Sequence, residues 1–291
     1  MSDTIEDYRR MAEAELAQCF KGAEKLEHHR LFEAMRYSLL AGGKRVRPIL
    51  VLAFCAACGG DPQRALPVAV AVEMLHTYSL IHDDLPCMDN DRLRRGKPTN
   101  HIVFGECTAT LAGDALQAEA FGTILRSDLP VTVKAECAEA LANAAGADGI
   151  CGGQELDMEG NGKTLTEDQL IDLQSRKTGS LLSAACLMGA ITGGANAKQR
   201  EAAQVYGAAI GAAFQIRDDM LDALSTEETL GKTAGTDERE HKTTFMSLYG
   251  RERCEKMIAR LTENAKNTVR AVFPNAELLA DFADRLAARE K

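Results

Sequence analysis

The chain has 291 residues, with 34 Lys and Arg against 43 Asp and Glu for a formal net charge of -9, and it is 45% hydrophobic and 26% charged. This is an ordinary globular composition with enough apolar material for a sizeable core, and its acidity argues against a general nucleic-acid binder, which needs a basic face. Gly, Lys, Arg or Asp interrupts every apolar run well before the roughly 20 residues of a membrane span. The acidic opening Met1-Ser2-Asp3-Thr4-Ile5-Glu6-Asp7 lacks the apolar stretch of a secretory signal, so no membrane insertion and a cytoplasmic location are expected.

From the N-terminus onward, apolar residues recur three and four apart over Leu31 to Leu40, Leu66 to Leu80, Thr108 to Leu125, Val133 to Ala145, Glu167 to Ile191, Arg200 to Leu224 and Glu252 to Val272. That period predicts helices, and no alternating pattern predicts a strand. Trp is absent and aromatics are 5%, so Ala, Leu, Val, Ile and Met must fill the core. Connections carry turn residues, as in Gly59-Gly60-Asp61-Pro62 and Glu159-Gly160-Asn161-Gly162. Thr166 followed by Gln169 fits a capping box. The polar stretch from Ser225 to Thr244 has the length of a functional lid. The expected fold is all-α, a single antiparallel bundle of about ten or more helices in one domain over 1–291. Nine scattered Cys, an odd number, are read as small, reduced, buried residues. Cys55 and Cys58 form a CxxC without the second ligand pair that zinc requires.

Two acidic clusters break the bland pattern. Asp83-Asp84-Leu85-Pro86-Cys87-Met88-Asp89 and Asp218-Asp219-Met220-Leu221-Asp222 each end a long apolar helix. Asp218 and Asp222 share a helix face one turn apart, where two carboxylates about 4 Å apart repel by on the order of 4 kcal/mol at an effective dielectric of 20. Pro86 should break the first helix, and a bent end would bring Asp89 back beside Asp83. One such cluster is often only a solvated helix end. Two of them, with carboxylate oxygens as the recurring donors, favour a hard cation, Mg²⁺, that completes its shell with water and phosphate. The basic complement is Lys44-Arg45-Val46-Arg47, Arg94-Arg95, Lys177, Lys232 and Lys242. Each alone is an ordinary surface cation; together they suit a phosphorylated substrate.

These motifs closely resemble those of the trans-isoprenyl diphosphate synthase family. The resemblance rests on Gly42-Gly43-Lys44-Arg45-Val46-Arg47-Pro48, on Asp83 to Asp89 with Arg94-Arg95-Gly96, on Lys177-Thr178-Gly179, on Gln215 to Asp222, and on Gly231-Lys232-Thr233. It implies a helical bundle around a central cavity, the isoprenoid synthase fold, and head-to-tail joining of isopentenyl diphosphate to an allylic diphosphate. It implies about three Mg²⁺ ions, held by Asp83, Asp89 and Asp218 with Asp84, Asp219 and Asp222 in support. Arg94, Lys177 and Lys232, with Lys242, would neutralise the allylic diphosphate. Thr178 and Gln215 would face the carbocation. Lys44, Arg47, His76 and Arg95 would bind isopentenyl diphosphate. By itself, His76 on its apolar helix face is an ordinary core histidine. Tyr78 and Ser79, below Asp83 on the same helix, would bound the growing chain at C15. A homodimer is implied by the family alone. Thr236 departs from the family's Gly-Lys-Asp pattern and removes a possible phosphate contact. A C20 or longer product, a terpene cyclase, and a non-catalytic regulatory subunit are the competing readings.

Overall fold

A computed structural model describes residues 2–224 and 242–289. In chain order the helices are α1 (Ser2–Leu16), α2 (His29–Leu39), α3 (Val46–Ala57), α4 (Pro62–Asp83), α5 (Asn100–Phe104), α6 (Glu106–Arg126), α7 (Val131–Ala145), α8 (Ile150–Gly160), α9 (Glu167–Gln174), α10 (Ser180–Thr192), α11 (Ala197–Leu224), α12 (Phe245–Val272) and α13 (Glu277–Ala287). The all-α reading holds.

The apolar sequence sets the layering. α3 and α10 are apolar nearly all round and lie inside, as such helices must. α10 packs on α3, α4, α7 and α11, while α4 packs on α3 and α6. Their buried side chains form one large core, including Leu50, Phe54, Leu75, Leu116 and Tyr206. A smaller cluster, with Ile216, Met220, Phe245 and Ile258, lies between α11 and α12.

Local signals explain where the helices begin and end. Asp61 caps α4, its carboxylate accepting from Gln63 N at 2.9 Å, with Pro62 in the first turn. Thr166 and Gln169 form the expected capping box at the start of α9. Two sequence expectations need correction. The run from Glu167 to Ile191 is divided by a π turn over Ser175–Gly179. A two-residue ribbon, β1 (Leu93–Arg94) with β2 (Lys97–Pro98), also occurs where no strand was expected. Its turn residues Arg95 and Gly96 both have positive φ, 53° and 73°, the backbone of a tight hairpin.

All nine cysteines are free thiols. Cys55, Cys137, Cys186 and Cys254 are buried, whereas Cys87, Cys107 and Cys151 are exposed, against the expectation of general burial. Burial pushes the Cys55 and Cys58 thiols up to about 12 and about 11, the wrong direction for thiolate ligands. Among the described residues, no helix is long and apolar enough to cross a membrane.

Candidate active site

α4 ends at Asp83, and the chain then folds back on itself. Asp89 N donates to Asp83 O at 2.9 Å, so the break at Pro86 returns Asp89 to Asp83 as the sequence suggested. The two acidic clusters meet across a pair of adjoining cavities that share Asp83, Asp91, Arg94, Lys177 and Gln215. The first, about 230 Å³, is lined by Asp83, Asp89, Asp157, Lys177, Asp219 and Lys242 among others. The second, about 330 Å³, joins Arg47, His76, Ser79 and Arg95 to the apolar side chains of Ile150, Leu181 and Phe214, with Asp218 at its edge.

The first cavity is a network of paired charges. Lys177 Nζ lies 2.6 Å from Asp157 Oδ2, and Lys242 Nζ lies 3.7 Å from both Asp157 and Asp89. Burial pushes the Asp83 carboxyl up to about 6, with Asp89 and Asp157 adding to the rise and Lys177 and Arg94 opposing it. The π turn carries Lys177 and Thr178 into this region, a frequent role for such turns at functional sites. α8 presses directly on it: a Cβ on Gly153 would come within 2.3 Å of Lys177 N, so only glycine allows the approach.

Thr178 joins the second cluster through side chains. Its hydroxyl donates to Gln215 Oε1 at 3.0 Å, and Gln215 Nε2 donates to Asp219 Oδ1 at 3.0 Å. Asp219 Oδ2 accepts from Phe245 N at 2.8 Å, at the first turn of α12. Asp219 therefore ties α11 to α12 while lining the first cavity.

The second cavity has a different charge balance. Burial holds His76 well below its usual range, and Arg47, Arg95, Arg94 and Arg45 push it the same way. Burial also takes the Arg47 guanidinium down to about 10, still protonated at neutral pH. Arg47 Nε is buried without a hydrogen-bond partner among the described residues, an arrangement that suits an incoming anion. Arg95 reaches across Gly43 to donate to Gly42 O. Gly43 has a φ of 127°, a conformation that other residues rarely adopt, and its missing Cβ leaves room for the Arg95 guanidinium. Arg45 does not join this group. It turns inward to Glu73 at 2.6 Å and to Leu39 O at 3.0 Å, with both charged side chains almost fully buried.

Other expected residues are placed differently. Asp84 is buried, 2.6 Å from Arg94, and lines neither cavity. Arg94 is thus held by Asp84 and Asp91, although it still borders both cavities. Asp222 is buried and lines neither cavity. Lys44 also lines neither; its pKa is lowered first by partial burial and then by Arg289, while Asp218 opposes the shift. Tyr78 is buried, with its hydroxyl 3.5 Å from Cys151 Sγ and its ring edge-on to His82, and it too lies outside both cavity linings. Ser79 lines the second cavity, its hydroxyl donating to His76 O at 3.0 Å. Lys232, Thr233 and Thr236, and most of the expected lid, lie outside the described residues.

Sequence reasoning missed Asp157 and Arg289. Asp157 holds Lys177 and Lys242 together. Arg289 pairs with Asp218 at 2.5 Å, donates to Phe214 O at 2.9 Å and stacks 3.6 Å over the Phe214 ring.

The donor set fits a hard divalent cation. It is all carboxylate oxygen, and Asp83 sits where a neighbouring positive charge would favour its ionised form. Among the described residues, no three acidic, His or Cys side chains converge as a ready-made cage. This is consistent with Mg²⁺, which usually keeps waters and takes substrate phosphate as ligand.

Residues 28–277 match the polyprenyl synthetase family. The chain is 47% identical over 264 residues to farnesyl diphosphate synthase of Geobacillus stearothermophilus, covering 90% of this chain and 89% of that protein. It is also 47% identical over 263 residues to geranylgeranyl diphosphate synthase of Cyanophora paradoxa, covering 87% and 86%. A geranyltransferase from Helicobacter pylori, solved with magnesium and isoprenyl diphosphate, superposes with a TM-score of 0.83 at 33% identity over 98% of this chain and 97% of that one. The chain belongs to the polyprenyl synthetase family and is a trans-prenyltransferase of isoprenoid biosynthesis.

Proposed function

We propose that this enzyme condenses isopentenyl diphosphate with dimethylallyl and then geranyl diphosphate to give (2E,6E)-farnesyl diphosphate and pyrophosphate. The observation that carries the reading is the pair of adjoining cavities, one lined by acids from both clusters and one by Arg47, His76 and Arg95, with Asp83, Lys177 and Gln215 common to both. Two diphosphates are thereby offered chemically different seats around one set of shared residues.

In this reading Asp83 and Asp89 hold magnesium on one side and Asp218 on the other, with about three ions in all and with Asp157 and Asp219 supporting them. When bound, Mg²⁺ would neutralise the charge developing on the departing pyrophosphate. Lys177, Arg94, Lys242 and Lys232 would balance the remaining charge of the allylic diphosphate. Its C1–O bond breaks, and the electron pair leaves with pyrophosphate. Thr178 Oγ1 and the Gln215 amide would face the resulting allylic cation. Isopentenyl diphosphate, held by Arg47, Arg95 and His76 with Lys44 nearby, would add its double bond to C1. Pyrophosphate would then remove a proton from the new cation to restore a double bond. Exclusion of water by the apolar wall of Ile150, Leu181 and Phe214 would protect the cation from capture.

The C15 product is supported by the farnesyl diphosphate synthase relative, with buried Tyr78, outside both cavity linings, as the side chain a longer product would have to displace. The geranylgeranyl relative at equal identity supports a C20 alternative. Incubation with Mg²⁺, isopentenyl diphosphate and each allylic diphosphate, followed by mass spectrometry of the products, decides between them. No product from any pair would refute the reaction.

The same proposal takes residues 1–291 as one polyprenyl synthase domain, supported by the continuous core from α1 to α13. It takes the enzyme as a cytoplasmic homodimer. Free thiols throughout suit a reducing compartment. Light scattering on the purified protein tests the dimer; a monomer at micromolar concentration would exclude it.

A further inference from the structure

Gln154 is a buried polar side chain to which the proposed chemistry gives no task. It is 7% exposed, and neither its Nε2 nor its Oε1 has a hydrogen-bond partner among the described residues. Native interiors pair nearly all such atoms, and an apolar side chain of the same size would avoid the penalty of leaving them bare. The residue lines the second cavity beside Lys177 and Thr178.

Its position along α8 gives the orphaned amide a purpose. Ile150, Gln154 and Asp157 are spaced four and three apart, which puts them on one helix face. Ile150 and Gln154 line the second cavity, and Asp157 lines the first. That face therefore presents hydrocarbon, neutral amide and carboxylate in order. A prenyl diphosphate carries the matching order of apolar chain, reacting allylic carbons and metal-bound diphosphate. The depth of the face is fixed by the contact between Gly153 and Lys177 N.

Gln215 provides a contrast. Its amide is engaged at both ends, accepting from Thr178 and donating to Asp219. Gln154 has both ends open. We infer that Gln154 is a further catalytic residue, its amide oxygen contacting the allylic carbons as the C1–O bond breaks. The leaving pyrophosphate takes the electron pair, positive charge spreads over the allyl group, and the amide dipole stabilises that charge without bonding to it. A carboxylate in the same place would compete as a nucleophile. This inference rests on the proposed prenyl transfer.

The test compares wild type with Gln154→Leu, and with Gln154→Met as a second apolar variant of similar length. Each is assayed with geranyl and isopentenyl diphosphates and Mg²⁺, and each is melted. The expected result is a roughly 10- to 100-fold loss of kcat, a KM for isopentenyl diphosphate within about threefold, and a melting midpoint equal to or above wild type. A side chain kept only for folding would lower stability and activity together. Variants that retain kcat within threefold, or that lose melting temperature in step with activity, overturn the assignment. A wild type that makes no prenyl product overturns the reaction and the assignment together. An active wild type with equally active variants overturns the assignment alone.

Discussion

The two cavities differ in how their charges are satisfied. In the first, Lys177 and Lys242 are already paired with Asp157 and Asp89. In the second, Arg47 keeps a buried Nε without a partner, and several cations press on a neutral His76. An anion arriving alone finds direct charge complementarity in the second cavity. The first must exchange one set of pairs for another, which suits a diphosphate arriving with its own cations. In the proposed reaction, a preference for metal-bound over bare diphosphate would follow from pairing, not from net charge.

The largest expected effect breaks the acid side. Asp83→Asn should reduce turnover by about a thousandfold or more, measured as product formed at saturating Mg²⁺, because it removes a carboxylate common to both cavities. Retention of a tenth of wild-type activity would show that Asp83 is dispensable. Next, Gly153→Ala should cut kcat by on the order of a hundredfold, since the new Cβ must push Lys177 off its position. A fully active Gly153→Ala would mean that the π turn tolerates displacement.

On the basic side, Arg95→Gln should raise the KM for isopentenyl diphosphate by roughly 10- to 100-fold, the worth of one or two charged hydrogen bonds. It should leave the KM for the allylic substrate nearly unchanged. Equal effects on both would erase the distinction between the cavities.

A smaller effect concerns pH. The folded protein raises the Asp83 carboxyl from an ordinary 3.8 to about 6. Between those values the folded state holds a proton that the unfolded state has released. The contribution is therefore present at low pH and lost as pH rises through about 6. Without metal, the melting midpoint of Asp83→Asn should gain on wild type as pH climbs from 4 to 7, then run parallel to it. Added Mg²⁺ with pyrophosphate should close the gap by stabilising wild type alone. A pH-independent gap would place the titration elsewhere. The subtlest change is in product identity: Tyr78→Ala should shift the mass-spectrometric product profile beyond C15. An unaltered profile would assign Tyr78 to packing alone, as its contacts with Cys151 and His82 also allow.

The sequence announced the first cluster because Pro86 lies within it: a break was unavoidable, and only a return could bring Asp89 to Asp83. It announced the helices because their apolar period is strong. Asp157 was hidden for the opposite reason. Glu155, Asp157 and Glu159 alternate along a Gly-containing helix and look like a solvated surface. The partner of Asp218, Arg289, lies 71 residues away and leaves no local trace. Counting cations near Gly43 also misled, because Glu73, 28 residues beyond Arg45, draws that arginine into the core. Spacing reports which groups are near along the chain; it cannot report which opposite charge each will choose.

The π turn at Ser175–Gly179 makes the helical rod from α9 to α10 one residue longer than regular winding would allow. Excising a single residue there would leave an unbroken rod with every apolar contact beyond it intact. It would also turn the side chains within the turn itself, Lys177 and Thr178 among them, by up to about 100° about the helix axis. Such a shortened protein should fold yet aim its lysine away from the pyrophosphate. The site's alignment therefore depends on a length, five residues where four would span the turn, and not only on which amino acids fill it.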